Sequence, residues 1–384
     1  MQEKTNWPMV WLLWLAGLGA AAQYGKISVV FDRLPGLYPD AGAALGFVVS
    51  LVGFLGILLG VIAGLLVARI GYRRALLAAL IVGAAVSAVQ ATLPSLPVFL
   101  TSRVIEGASH LAIVVAAPTL IAEVSHPRDA GRSLTLWGSF FGVAFAVLAF
   151  AGVPLADWFG VGALLAAHGA YMAIMAVILW PRLPQLVQEP QPIVISELLR
   201  AHVRIYSSAR LGAPALGWLF YTACFVSVLT VFPPYLPEAS RTAVMGAMPL
   251  LSIVSSLTLG VFLLRYVSAV IVVVAGFFLS ALFALGLGIW PGSPIIALAL
   301  GASLGLVQGA TFASVPQLTP EAENRALANG GLAQMGNTGN TIGTPLMVAV
   351  IALLGYSGLI WALTVLFLCG GAIHLWLAGK RRQE

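Results

Sequence analysis

The chain has 384 residues, of which 60% are hydrophobic and only 8% charged, and its mean hydropathy is +1.00. That is too little polar surface to coat a soluble domain of this size, so an integral membrane protein is expected. The net charge of +6 does not point to nucleic acid, because the basic residues stand singly between apolar segments rather than in a stripe.

A helix needs about 20 apolar residues to cross a hydrocarbon core roughly 30 Å thick. Twelve such windows are predicted, at about 7–31, 42–67, 74–93, 97–122, 133–153, 161–181, 213–236, 243–264, 267–290, 294–316, 326–354 and 357–379. The first lacks the layout of a cleavable signal peptide and is read as a span. With both termini in the cytoplasm, fifteen of the nineteen basic residues fall in cytoplasmic segments, which agrees with the bias of Lys and Arg toward that side.

The first span ends in "AAAQYGKISVVFDRL", with Lys26 roughly 28 Å along it from Trp7 at helical rise. Two readings stay open. Lys26 could snorkel to the outer interface, or it could face a cavity with Gln23 and Tyr24.

Of the thirteen acidic residues, Glu106 alone lies deep in a span, roughly 13 Å from Pro97. A charge at that depth is costly and ordinarily faces the bundle interior, which makes it a functional-site candidate. Arg103 and His110, three residues before and four after it, share its helix face. Arg103, Glu106 and His110 are therefore the proton-coupling candidates, with a structural intramembrane pair as the alternative.

In the sixth span His168 and Met172, with Met175 following, could hold a soft ion. Methionine at such spacing in membrane helices ordinarily packs, so no metal site and no cofactor are assigned. Cys224 and Cys369 lie in separate apolar runs and give no disulfide or zinc pattern.

The segment "RLPQLVQEPQPIVISELLRAHVRIYSSARLG" interrupts the hydropathy once and sets a boundary of 1–181, a 182–212 linker and 213–384. Its second part reads either as a short interfacial helix or as a basic linker. Beyond it, Tyr221 and Gln308 are candidate cavity contacts. Gln334, Asn337, Thr338, Thr341 and Thr344 recur at helical spacing as a polar stripe, with helix packing as the competing reading.

The halves carry a repeat. Gly64 and Arg69 recur as Gly260 and Arg265 at an offset of 196, and Pro127 and Arg132 as Pro320 and Arg325 at 193. Parallel six-span repeats are a transporter arrangement with the solute site between them.

"GLLVARIGYRR" is similar to the Gly-x-Leu-x-Asp-Arg-x-Gly-Arg-Arg loop of the major facilitator superfamily, with Gly64, Leu66, Arg69, Gly71 and Arg73 in place. Ala68 stands where the family usually has aspartate, and Tyr72 where it usually has a basic residue. "SRVIEGASH" resembles the family's Arg-x-x-x-Gly pattern through Arg103 and Gly107, and that arginine is implicated in proton coupling in relatives. The fifth span lacks the Gly-Pro pair of drug antiporters. "NGGLAQMGNTGNTIGTP" resembles the cyanate- and nitroimidazole-transporter-like branch.

The resemblance implies an all-α fold of twelve transmembrane helices in two six-helix pseudo-repeats, working by alternating access in a bacterial inner membrane. Gly64, Arg69, Gly71 and Arg73 would form its conformational motif. The first and fourth spans would line the cavity, so Gln23, Tyr24, Lys26 and Arg103, with Tyr221, Gln308, Gln334 and Asn337, are the solute-binding candidates.

The expected function is secondary transport of a small polar, anionic organic solute, proton-coupled and in the direction of uptake, by a monomer in the lipid bilayer. Efflux of drugs or metabolites, import of copper or riboflavin, and a non-transporting assembly factor are the alternatives. No nucleophile, base and orienting group can be placed together and no phosphate-binding loop is present, so neither an enzyme nor an ATPase is expected.

Overall fold

The computed structural model describes residues 4–184 and 195–383, and every regular element among them is helical. The first, α1, runs Trp7–Ser28; the Asn6 side chain accepts from the Met9 amide at 3.2 Å, and Pro8 stands where no helical N–H is needed. A near-continuous helical run, α2, covers Pro39–Leu59, and a short α3, Ala63–Ile70, continues it. Gly71, at φ 91°, turns the chain into α4, Tyr72–Ala91. A Cβ at this dihedral would be strained, which is why glycine suits the turn.

Next come α5, Leu96–Glu123, then α6, Ala130–Phe159, and α7, Val161–Leu179. The linker contributes α8, Ile195–Ser207; residues 185–194, and with them Glu189, lie outside the described residues. The chain ends with α9, Gly212–Val231, α10, Glu238–Leu263, α11, Ala269–Ile289, α12, Pro294–Leu318, and α13, Ala322–Arg381.

Among the described residues ten helices are long and apolar enough to cross a membrane. The 22-residue α1 is not one of the ten, since Gln23, Tyr24 and Lys26 lower its hydropathy. The 60-residue α13 is not one straight helix. Gly355, at φ 62° and ψ −153°, breaks it into two arms where the sequence predicts a loop between two spans.

Packing groups the helices. α1 packs on α5, α6 and α7, and α4 lies between α5 and α7; α9 and α11 pack on α13, and α12 on α10 and α11. The two groups meet where α2 lies against α13, α6 against α10, and α1 against α9. One buried apolar cluster draws only on residues 9–183, whereas the largest runs through both groups. Large apolar side chains such as Val177, Ile295 and Leu353 are exposed on the outside of the bundle, as lipid contact requires.

Candidate functional site

In α1, Gln23 and Lys26 are three residues apart and share a face, whereas Tyr24 and Lys26 are separated by about 200° around the helix. This rotation decides where each side chain goes. Gln23 and Lys26 point into the first helix group, and Tyr24 points toward the second.

Lys26 is fully buried and does not snorkel. Its Nζ donates to Glu106 Oε1 at 2.6 Å and to Ser87 Oγ at 2.7 Å, and lies 3.3 Å from His168 Nδ1. His168 Nε2 is 3.0 Å from the Gly19 carbonyl oxygen, which can only accept, so Nε2 carries the hydrogen and Nδ1 presents a lone pair. Ser87, 2.8 Å from that Nδ1, donates its hydroxyl hydrogen there while accepting from Lys26. Two N–H bonds of an ammonium thus have acceptors, Glu106 Oε1 and Ser87 Oγ, and the third points at a lone pair that Ser87 already occupies.

Glu106 is surrounded by donors. Its Oε1 receives Lys26; its Oε2 receives Arg103 Nη1 and, at 2.8 Å, Gln90 Nε2. The other Arg103 donors go to backbone: Nε to the Val48 carbonyl at 2.7 Å, and Nη2 to those of Gln23 at 2.6 Å and Val49 at 3.2 Å. Arg103, Lys26 and Glu106 are each 0% exposed. Arg103 and Glu106 are joined as their three-residue spacing predicts. Gln23 donates to Ser109 Oγ at 2.8 Å, which donates to the Ala79 carbonyl at 2.7 Å.

His110 does not complete a column with Glu106. Its Nδ1 is 3.0 Å from the Ala20 carbonyl, and its ring stands edge-on to Tyr24 with centroids 5.1 Å apart. Both belong to an aromatic seam between the helix groups. Tyr24 meets Phe141 at 6.0 Å, and Phe141 meets Phe225 at 6.3 Å. Along α9, Phe225, Tyr221 and Trp218 then stack on one another at 5.4 and 4.3 Å. The Tyr221 and Ser252 hydroxyls both reach Gln308 Oε1 at 3.4 Å. The buried Tyr24 hydroxyl and Thr341 Oγ1 face the same glycine, Gly53, and among the described residues neither is within good hydrogen-bonding geometry of a partner.

Gln334 and Asn337 lie on α13 where it meets α2. Gln334 accepts from the Tyr206 hydroxyl of α8 at 2.7 Å and donates to the Ile57 carbonyl of α2 at 3.0 Å, which makes it a tie between linker and helix groups. Asn337 packs against Gly56 and donates to the Ala333 carbonyl at 2.9 Å. Gly64 and Arg69 are exposed on α3, and Arg73 in the first turn of α4 donates to the Trp180 carbonyl at 2.8 Å. Among the described residues neither arginine makes an ion pair, as expected with alanine at position 68.

Ser87, Gln90 and His168 are the members of the buried cluster that the spacing of α1 and α5 residues does not reveal. His168 has both nitrogens engaged, which leaves no lone pair for a metal. No cluster of three or more His, Cys, Asp or Glu able to hold a metal occurs among the described residues.

A cavity of about 340 Å³ opens near the Ser28 end of α1, between the helix groups. Phe145, Leu229 and Met245 form its apolar wall, and Asp32, Glu238 and Arg241 are among the charged residues that line it.

Comparison with known proteins adds two matches. The family profile described as Major Facilitator Superfamily matches residues 9–266. The niacin transporter NiaP of Acinetobacter baylyi is 31% identical over 153 residues, which are 39% of this chain and 35% of that relative's length.

Proposed function

The chain belongs to the Major Facilitator Superfamily, and on that premise we propose that it is a proton-coupled secondary transporter taking up a small organic anion by alternating access. The reading takes twelve spans: α1, the nine helices that cross singly, and the two arms of α13 on either side of Gly355. Two six-helix bundles, 1–181 and 213–384, would rock about the seam, with 182–212 as the linker. Both termini would face the cytoplasm of a bacterial inner membrane, as the basic loops favour.

The observation that carries the proposal is the buried Lys26–Glu106–Arg103 group. Two cations and one carboxylate sum to +1, and among the described residues no other Asp, Glu, Lys or Arg side chain is buried. A net positive charge in a low-dielectric interior favours an anionic solute nearby. The stacked faces of Trp218, Tyr221 and Phe225 suit a flat ring, and the hydroxyl and amide groups of Tyr221, Ser252 and Gln308 suit its polar edge.

Niacin, the solute named for the relative from Acinetobacter baylyi, is an aromatic carboxylate and is the first solute to test. Purified protein in liposomes should accumulate labelled niacin when the outside is made acidic, and Glu106→Gln should abolish that accumulation. Flux indifferent to the pH gradient and unchanged in Glu106→Gln refutes the coupling. Absence of flux with niacin and with a panel of small organic anions refutes the solute class.

A further inference from the structure

The hydrogen bonds of the buried cluster distinguish its members as proton carriers. An O–H placed on Glu106 would point at a donor from either oxygen: Lys26 beyond Oε1, Arg103 and Gln90 beyond Oε2. An N–H placed on His168 Nδ1 would have to reverse the 2.8 Å bond from Ser87 and would stand 3.3 Å from the Lys26 ammonium, two cations side by side. Arg103 does not give up its proton. Lys26 differs from all three. As a neutral amine it keeps two N–H bonds for its two short contacts, Glu106 Oε1 and Ser87 Oγ, and loses only the long contact to a lone pair that Ser87 already occupies.

We propose that Lys26 is the group that releases and takes up the coupling proton, with Glu106 remaining an ionised counter-charge and with Ser87 and His168 as the positioning residues that hold the amine. This deepens the transporter reading and rests on it. In the step, the Nζ–H bond breaks, its electron pair stays on nitrogen, and the proton passes to water when the cluster opens to one side of the membrane. The buried charge falls from +1 to 0.

Proton and monoanion therefore favour each other's presence: the interior attracts the anion only while Lys26 is charged. The charged and titratable groups that face Lys26 are Glu106 and, through it, Arg103 on α5, and His168 on α7. Ser87 faces it from α4 and is uncharged. α2, α6 and α9, which also pack on α1, place no charged side chain in hydrogen-bonding contact with it among the described residues.

The chain contains three lysines, Lys4, Lys26 and Lys380, so lysine labelled with ¹⁵N at Nζ should give a readable spectrum from the full chain in nanodiscs. The signal lost in Lys26→Met identifies Lys26. That signal should change from ammonium to amine within the pH interval over which niacin uptake changes, and Ser87→Ala should move the transition. In liposomes Lys26→Met should lose accumulation driven by a pH gradient, and whatever niacin exchange remains without a gradient should be weakened and no longer depend on pH.

A Lys26 signal that stays ammonium from mildly acidic to alkaline pH overturns the proposal, as does gradient-driven accumulation by Lys26→Met equal to that of the wild type. If the wild type carries no niacin, the solute reading fails and the Nζ titration alone decides the proton site.

Discussion

Glu106→Gln should be the most destabilising single change in the interior of the first helix group. Glu106 is the counter-charge for two fully buried cations, so its neutralisation leaves a buried charge of +2 in place of +1. The glutamine NH₂ adds a second conflict: at the Oε1 position it faces Lys26, and at the Oε2 position it faces Arg103 and Gln90. Breaking a buried pair by removing one partner costs about 3–5 kcal/mol.

Lys26→Met has the opposite sign on charge, since Arg103 and Glu106 then balance, and Ser87 still donates to His168. The double variant Lys26→Met/Glu106→Gln returns the cluster to +1 and removes one of the opposed donors. It should therefore recover about 1–3 kcal/mol relative to the sum of the single changes, within the range that interacting neighbours show. Denaturant unfolding in detergent, followed by helical circular dichroism, gives all four corners of the cycle. Glu106→Gln within about 1 kcal/mol of wild type, or a double variant that is merely additive, would refute the reasoning.

Three further outcomes are expected. In Gly53→Val the new Cβ would stand 2.7 Å from the Tyr24 hydroxyl and collide with Thr341 Oγ1, so α2 should be held off α13 at a cost of about 1–3 kcal/mol. Disulfide cross-linking of a Gly56→Cys/Asn337→Cys pair in that background should fall. Gln334→Leu strips the Tyr206 hydroxyl and the Ile57 carbonyl of a shared partner, at a cost of about 1–3 kcal/mol. Amide exchange should rise in α8 before it rises elsewhere. Arg33→Ala removes a 2.6 Å ion pair with Asp157, but the two side chains are 27% and 55% exposed, so under about 1 kcal/mol is at stake and the unfolding midpoint should not move.

The ten long apolar helices were legible because length and hydropathy are properties of continuous segments, and Gly355 falls in the short gap predicted between the last two windows. The Arg103–Glu106 pair was legible for a similar reason: three residues on one helix fix it. What Lys26 touches was not. Its partners come from α4 and α7, and no spacing within α1 says which neighbouring helix supplies a hydroxyl or an imidazole.

The division of α1 was available from helical rotation alone, because Tyr24 and Lys26 are two residues apart and cannot face one cavity together. His110 shows the limit of the same rule. It is on the Glu106 side of α5, but a carbonyl of α1 takes its Nδ1 and the Tyr24 ring its edge. Gln334, read from its stripe as a solute contact, meets a tyrosine from the linker, whose path over the bundle end hydropathy does not encode.

The fully buried cations and carboxylate belong to the first helix group, and among the described residues the second group buries hydroxyls, aromatic rings and His374 but no Asp, Glu, Lys or Arg. A change of charge state in one group must therefore act on the other through the seam, and α1 carries both a member of the cluster and a residue of the seam. Tyr24, on the opposite face of the helix from Lys26, meets Gly53 of α2 beside Thr341 of α13.

A helix is stiff over two residues, so any rotation or tilt of α1 that brings Lys26 toward solvent also moves the Tyr24 ring against that contact. Phenylalanine at position 24 tests this link. Among the described residues the buried Tyr24 hydroxyl has no well-aligned partner, so its removal should leave stability within about 1 kcal/mol and alter only the rate of pH-driven exchange. Unchanged exchange in Tyr24→Phe together with unchanged exchange in Tyr24→Ala would show that α1 does not transmit the charge state across the seam.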